Sequence, residues 1–118
     1  ITMTLGIGKY YNEDEVKPMI SYTVNERILT VTIFGEIDHH TAAELRTDID
    51  TLVRKYSPLI LILDFSKVDF CDSSGIAVVL GRYRLMKSLG GEVELTQLPE
   101  NVSHIFEMAD LKRIVKIG

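Results

Sequence analysis

A single cysteine among 118 residues, Cys71, leaves no partner for an internal disulfide. No stretch approaches the roughly 20 apolar residues that span a bilayer. With no secretory signal visible, the expected compartment is the cytoplasm, without membrane attachment. Basic residues are in the minority, 13 Lys and Arg against 17 Asp and Glu for a net charge of −4. A nucleic-acid surface, which neutralises phosphates with clustered Lys and Arg, is therefore not expected. Internal repeats and low-complexity segments are absent. His39 and His40 stand beside Asp38, but adjacent histidines on a loop are expected to point apart, and no further Cys or His follows at a ligand spacing, so neither metal nor cofactor is expected. A hydrolytic triad of Ser73, His40 and Asp38 lacks the Gly-x-Ser-x-Gly elbow and any marked oxyanion hole, so the chain does not read as an enzyme.

What is present suits one small α/β domain. Hydrophobic residues make up 46% and charged residues 25%, enough to bury a core. Residues 1–18 lack sustained periodicity and carry Asn12-Glu13-Asp14-Glu15, which predicts a flexible tail ahead of a domain over 19–118. Met19 to Val24 and Ile28 to Phe34 predict a hairpin turning at Asn25-Glu26. Thr41 and Glu44 match a capping box, and Leu45, Ile49, Leu52 and Val53 continue as a helical stripe ending before Pro58. Leu59 to Leu63 is five apolar residues in a row, which predicts a strand covered on both faces. Ile76, Val79, Leu80 and Tyr83 form one face of a second helix, ending near Gly90-Gly91. Val93 and Leu95 mark a strand. Val102, Ile105, Phe106 and Ala109 mark a third helix, and Ile114 to Ile117 a closing strand. The predicted order is β-β-α-β-α-β-α-β with a mixed sheet, because helical crossovers join parallel strands while the opening hairpin is antiparallel.

Between the Leu59 strand and the Ile76 helix lies Phe70-Cys71-Asp72-Ser73-Ser74-Gly75. Asp72, Ser73 and Ser74 are each suited to cap a helix start, and a serine at that junction sits beside unpaired backbone N–H groups that tolerate a phosphate. Cys71 reads as a small buried residue beneath the loop rather than as a reactive thiol. Arg82, in Gly81-Arg82-Tyr83, reads either as a ligand for a partner carboxylate or as a solvated helix residue.

Three separated segments, Gly35-Glu36-Ile37-Asp38-His39-His40-Thr41, Asp72-Ser73-Ser74-Gly75 and Leu80-Gly81-Arg82-Tyr83, resemble the anti-sigma factor antagonists of the STAS family, over about Ile20 to Ile117. The resemblance implies a STAS-like fold over 19–118 and partner switching. Unphosphorylated, such a chain binds an anti-sigma factor that is also a serine kinase and so releases a sigma factor. Phosphorylation of the first serine of Asp-Ser-Ser-Gly, here Ser73, breaks the complex until a serine phosphatase restores it. The resemblance also places Asp38 at the partner-binding surface, with Asp72, Ser74, Gly75 and Arg82 as further candidates. A STAS module of a transporter or a larger signalling assembly is the alternative.

Overall fold

The computed structural model describes residues 3–12 and 15–118, with side chains from Met19 onward. Strands β1 (Met3–Asn12), β2 (Glu15–Asn25) and β3 (Ile28–Ile37) precede helix α1 (Ala42–Tyr56). Then come β4 (Ile60–Cys71), α2 (Ser74–Ser88), β5 (Glu92–Thr96), α3 (Glu100–Met108), a 3₁₀ turn (Leu111–Arg113) and β6 (Lys116–Ile117). All six strands form one sheet in sequence order. The β1–β2 and β2–β3 pairs are antiparallel. The β3–β4, β4–β5 and β5–β6 pairs are parallel. From β2 onward this is the predicted order.

The segment expected to be a tail differs. Its backbone over Met3–Asn12 pairs with β2, which itself begins at Glu15 rather than Met19. Gly6 and Gly8 interrupt the alternation of Leu5 and Ile7 that would have signalled a strand, and the register shifts at Ile7/Gly8 and Tyr10/Asn12 break the pattern further.

All three helices cover the same face of the sheet. Tyr56 of α1 lies against Tyr22 of β2, with ring centroids 5.8 Å apart. Tyr22 is level with Val31, and Val31 with Leu63, so their side chains share one face. Phe106 of α3 meets Phe65 of β4 edge to face on that same side. Between them α2 is tied to α1 by an ion pair from Arg82 to Asp50. On this side Leu29, Val31, Ile33, Leu61, Leu63 and Phe65 are fully buried. The opposite face carries Thr30, Thr32, Ile60, Ile62 and Asp64, all only half-buried. The expectation that the Leu59–Leu63 strand is covered on both faces is therefore corrected: its apolar run is buried at alternate residues, and the molecule is two layers thick, 41 × 36 × 21 Å.

Parallel pairing brings the carboxyl ends of β3, β4 and β5 to one sheet edge, where the β3–α1 and β4–α2 loops emerge side by side. Gly35, with φ of +80°, supplies the left-handed backbone in β3 where the register shifts past the extra residue Asp69 of β4, just before the first of these loops.

Candidate functional site

Ile37 and Cys71 are register partners at the ends of β3 and β4, both buried. The next residues, Asp38 and Asp72, therefore leave the sheet from neighbouring strands, which lie about 4.8 Å apart in a ladder. The Asp72 amide donates to the Ile37 carbonyl at 3.0 Å, which joins the two loops.

Each aspartate caps its own helix. Asp38 Oδ1 accepts from the amides of His40 (2.8 Å) and Thr41 (3.0 Å), and Thr41 Oγ1 accepts from the Asp38 amide at 3.0 Å. Thr41 Oγ1 donates in turn to the Glu36 carbonyl at 2.9 Å. This is a reciprocal capping box between Asp38 and Thr41. The predicted box between Thr41 and Glu44 is corrected, because Thr41 has α-helical dihedrals and makes no side-chain cap. The Thr41 amide above all holds the Asp38 carboxyl below its ordinary pKa, so the group is ionised and committed to the loop. Replacing Asp38 removes a cap as well as a surface charge.

In the second loop Asp72 Oδ1 accepts from the Ser74 amide at 2.7 Å, and the Asp72 carbonyl accepts from Gly75 at 3.0 Å. Of the three candidate caps the structure selects Asp72. Ser73 has helical dihedrals (φ −62°, ψ −14°), makes no side-chain cap and is exposed, whereas Ser74 is half-buried. The Ser73 hydroxyl thus stands at the first turn of α2 with no capping role.

Gly75 is buried and does not belong to the exposed surface. A Cβ there would overlap the Cys71 sulfur and lie 3.4 Å from Phe106 Cε1. Its role is to let the first turn of α2 sit down on β4 and α3. Cys71, 2% exposed, donates its thiol to the Asp72 carbonyl at 3.3 Å. Burial, then the Asp72 charge, pushes its pKa up to about 11, so it packs as an unreactive thiol.

Arg82 does not join these residues. It is 5% exposed, with Nε 2.6 Å from Asp50 Oδ1, Nη2 3.4 Å from Asp50 Oδ2 and Nη1 3.3 Å from the Val78 carbonyl. The Nε–Oδ1 contact is a close charge pair without an aligned hydrogen bond. Burial lowers the guanidinium pKa and Asp50 opposes that shift. Both earlier readings, partner ligand and solvated surface arginine, give way because Asp50, 32 residues upstream, supplies the carboxylate from inside the molecule. His39 and His40 are exposed, and their ring centroids lie 4.6 Å apart rather than pointing away from each other. No three His, Cys, Asp or Glu side chains converge on a metal-sized site among the described residues. None of the helices in the described residues is long and apolar enough to cross a membrane.

The reciprocal role of Thr41 and the exposure of Phe70 were missed from sequence. Phe70 had a signal: it alternates with the buried Cys71, so it projects to the sheet face that no helix covers.

A mixed sheet covered by three helices on one face, with the β3–α1 and β4–α2 loops side by side at its edge, is an arrangement of the STAS type. The STAS domain family model matches residues 19–118, and the chain belongs to that family. It is 33% identical to an anti-sigma F factor antagonist of Paenibacillus polymyxa over 90 residues, 76% of this chain and 77% of that one. It is also 33% identical to an anti-sigma-B factor antagonist of Bacillus subtilis (strain 168) over 94 residues, 80% and 84% of the two chains. Among solved structures it is similar to the anti-sigma factor antagonist SpoIIAA in its unphosphorylated form, with a TM-score of 0.72 and 27% identity over 84% of this chain and 87% of that one. The phosphorylated form of SpoIIAA aligns with a TM-score of 0.65 and 26% identity, covering 84% of this chain and 90% of that one.

Proposed function

We propose that this chain is an anti-sigma factor antagonist switched by phosphorylation of Ser73. The observation that carries the reading is the Ser73 hydroxyl, exposed at the first turn of α2 and released from capping by Asp72. A serine kinase transfers the γ-phosphoryl group of ATP to Ser73 Oγ, with ADP leaving and the hydroxyl proton lost. The phosphate adds about −1.5 to −2 charges. Within the chain this charge is accommodated, since it sits at the positive end of α2. Across an interface it meets the partner's surface, where misplaced like charges cost several kcal/mol, and about 1.4 kcal/mol is tenfold in affinity. The modification thus releases the partner without unfolding its carrier.

The partner is an anti-sigma factor with kinase activity. Bound to the unphosphorylated chain it gives up its sigma factor and transcription proceeds. Hydrolysis of the phosphoserine by a serine phosphatase resets the cycle. Asp38 and Asp72 frame the docking edge, each holding its loop in the shape that presents Ser73.

The test is intact-mass measurement and peptide mapping after incubation of this chain with ATP and the anti-sigma factor kinases of its source. One phosphate on Ser73, absent in Ser73→Ala, is expected. Phosphate confined to Ser74, or fully retained by Ser73→Ala, rejects the assignment.

A further inference from the structure

Phe70 is 48% exposed at the end of β4, three residues before Ser73. Its register partner Glu36 is exposed as well, while the next pair, Ile37 and Cys71, is buried against the helices. Strand alternation therefore puts Phe70 and Glu36 together on the helix-free face, at the corner where that face meets the Ser73 loop. A large aromatic ring there is held half out of the core by the backbone and gains little from the fold. The charge beside it along the strand and across the ladder is predominantly negative. Glu36 lies across the ladder, Asp69 precedes it, Asp72 follows it, and Lys67 is the lone ammonium within 67–72. An exposed apolar ring beside acidic residues, three positions from Ser73, complements a basic surface with an apolar pocket. Buried aromatic anchors of this kind carry a disproportionate share of interface energy.

We propose that Phe70 is the anchor by which the kinase grips this chain, taking the ring from the helix-free face while Ser73 is presented from the sheet edge, with Glu36 supplying charge complementarity. This rests on the antagonist reading of Ser73. Phe70 is a docking residue and makes no contact with the reacting atoms, so it acts on binding and leaves phosphoryl transfer alone.

The experiment uses the anti-sigma factor kinase that phosphorylates the wild-type chain. Failure of every such kinase to label Ser73 refutes the antagonist reading itself. With a labelling kinase in hand, steady-state phosphorylation of Phe70→Ala is expected to show KM raised about tenfold or more, with kcat within about twofold of wild type. Glu36→Lys is expected to raise KM in a salt-dependent way, the difference from wild type shrinking as ionic strength rises. Thermal melts accompany both variants. Should Phe70→Ala lose its fold, Phe70→Leu, which keeps an apolar side chain at the position, replaces it with the same expected split. An unchanged KM in a folded Phe70 variant overturns the proposal, as does a fall in kcat alone. Loss of self-association with KM unchanged also overturns it, since the ring would then serve a second copy of the chain.

Discussion

At the start of α2 the modifiable hydroxyl and the capping carboxylate belong to neighbouring residues, which separates the effects of replacing them. Ser73 makes no cap, so Ser73→Ala is expected to change stability by less than about 0.5 kcal/mol, as for an ordinary surface position. Asp72→Ala removes the acceptor of the Ser74 amide, 2.7 Å away, and is expected to cost about 0.5–2 kcal/mol. Ser73→Asp adds a charge at the helix start and leaves the fold within about 1 kcal/mol of wild type, while kinase affinity falls about tenfold or more. Matched urea titrations and binding isotherms check all three. A larger loss for Ser73→Ala than for Asp72→Ala would reverse the assignment of cap and switch. Sequence reasoning reached this loop but not the division of labour within it. Asp72, Ser73 and Ser74 are all good capping types, and only the dihedrals at Ser73 and the direction of the Asp72 carboxylate decide among them. The same ambiguity displaced the α1 box by three residues, because Thr41 can follow a capping aspartate as readily as precede a glutamate.

At the scale of elements, the helices were legible as elements, and the α1 stripe of Leu45, Ile49, Leu52 and Val53 is buried as expected. On α2 the predicted face is corrected: Val78, Val79, Arg82 and Met86 are buried while Ile76, Leu80 and Tyr83 are only half-buried, because a charged residue paired inside the molecule lies on the covered side and breaks the apolar pattern. The contact between elements was not legible at all. Gly75 reads in sequence as part of a surface motif, yet its missing side chain is what allows α2, β4 and α3 to meet at Cys71 and Phe106. Gly75→Ala is expected to destabilise the domain by about 1–3 kcal/mol through overpacking. In a Cys71→Ala background, where the sulfur is gone, the same substitution is expected to cost less than about 1 kcal/mol, a coupling that a double-mutant cycle reads directly. Equal costs in both backgrounds would mean that the strain lies against Phe106 or in the backbone rather than at the sulfur.

For the whole molecule, what escaped the sequence is whatever joins distant segments: the β1 backbone paired to β2, the single covered face of the sheet, and the charge pair between α1 and α2. Asp50 and Arg82 show why, since each alone reads as a surface residue and only the crossover of the chain through β4 brings them together. The pair fixes α1 against α2, and with them the two loops that bear Asp38 and Ser73. Arg82→Ala would strand the Asp50 carboxylate in a site 21% open to solvent, and a loss of about 2–4 kcal/mol is expected, toward the lower end of what a broken buried pair costs because water still reaches Asp50. Arg82→Met with Asp50→Leu removes both charges and keeps much of the packed volume, so it is expected to recover most of that loss. Kinase affinity of the double variant, measured well below its melting temperature, should then stay within about threefold of wild type, because neither side chain reaches the docking edge. A folded double variant that no longer binds would make Arg82 a partner contact after all; recovered stability with retained binding assigns the arginine to the frame that holds the two loops in place.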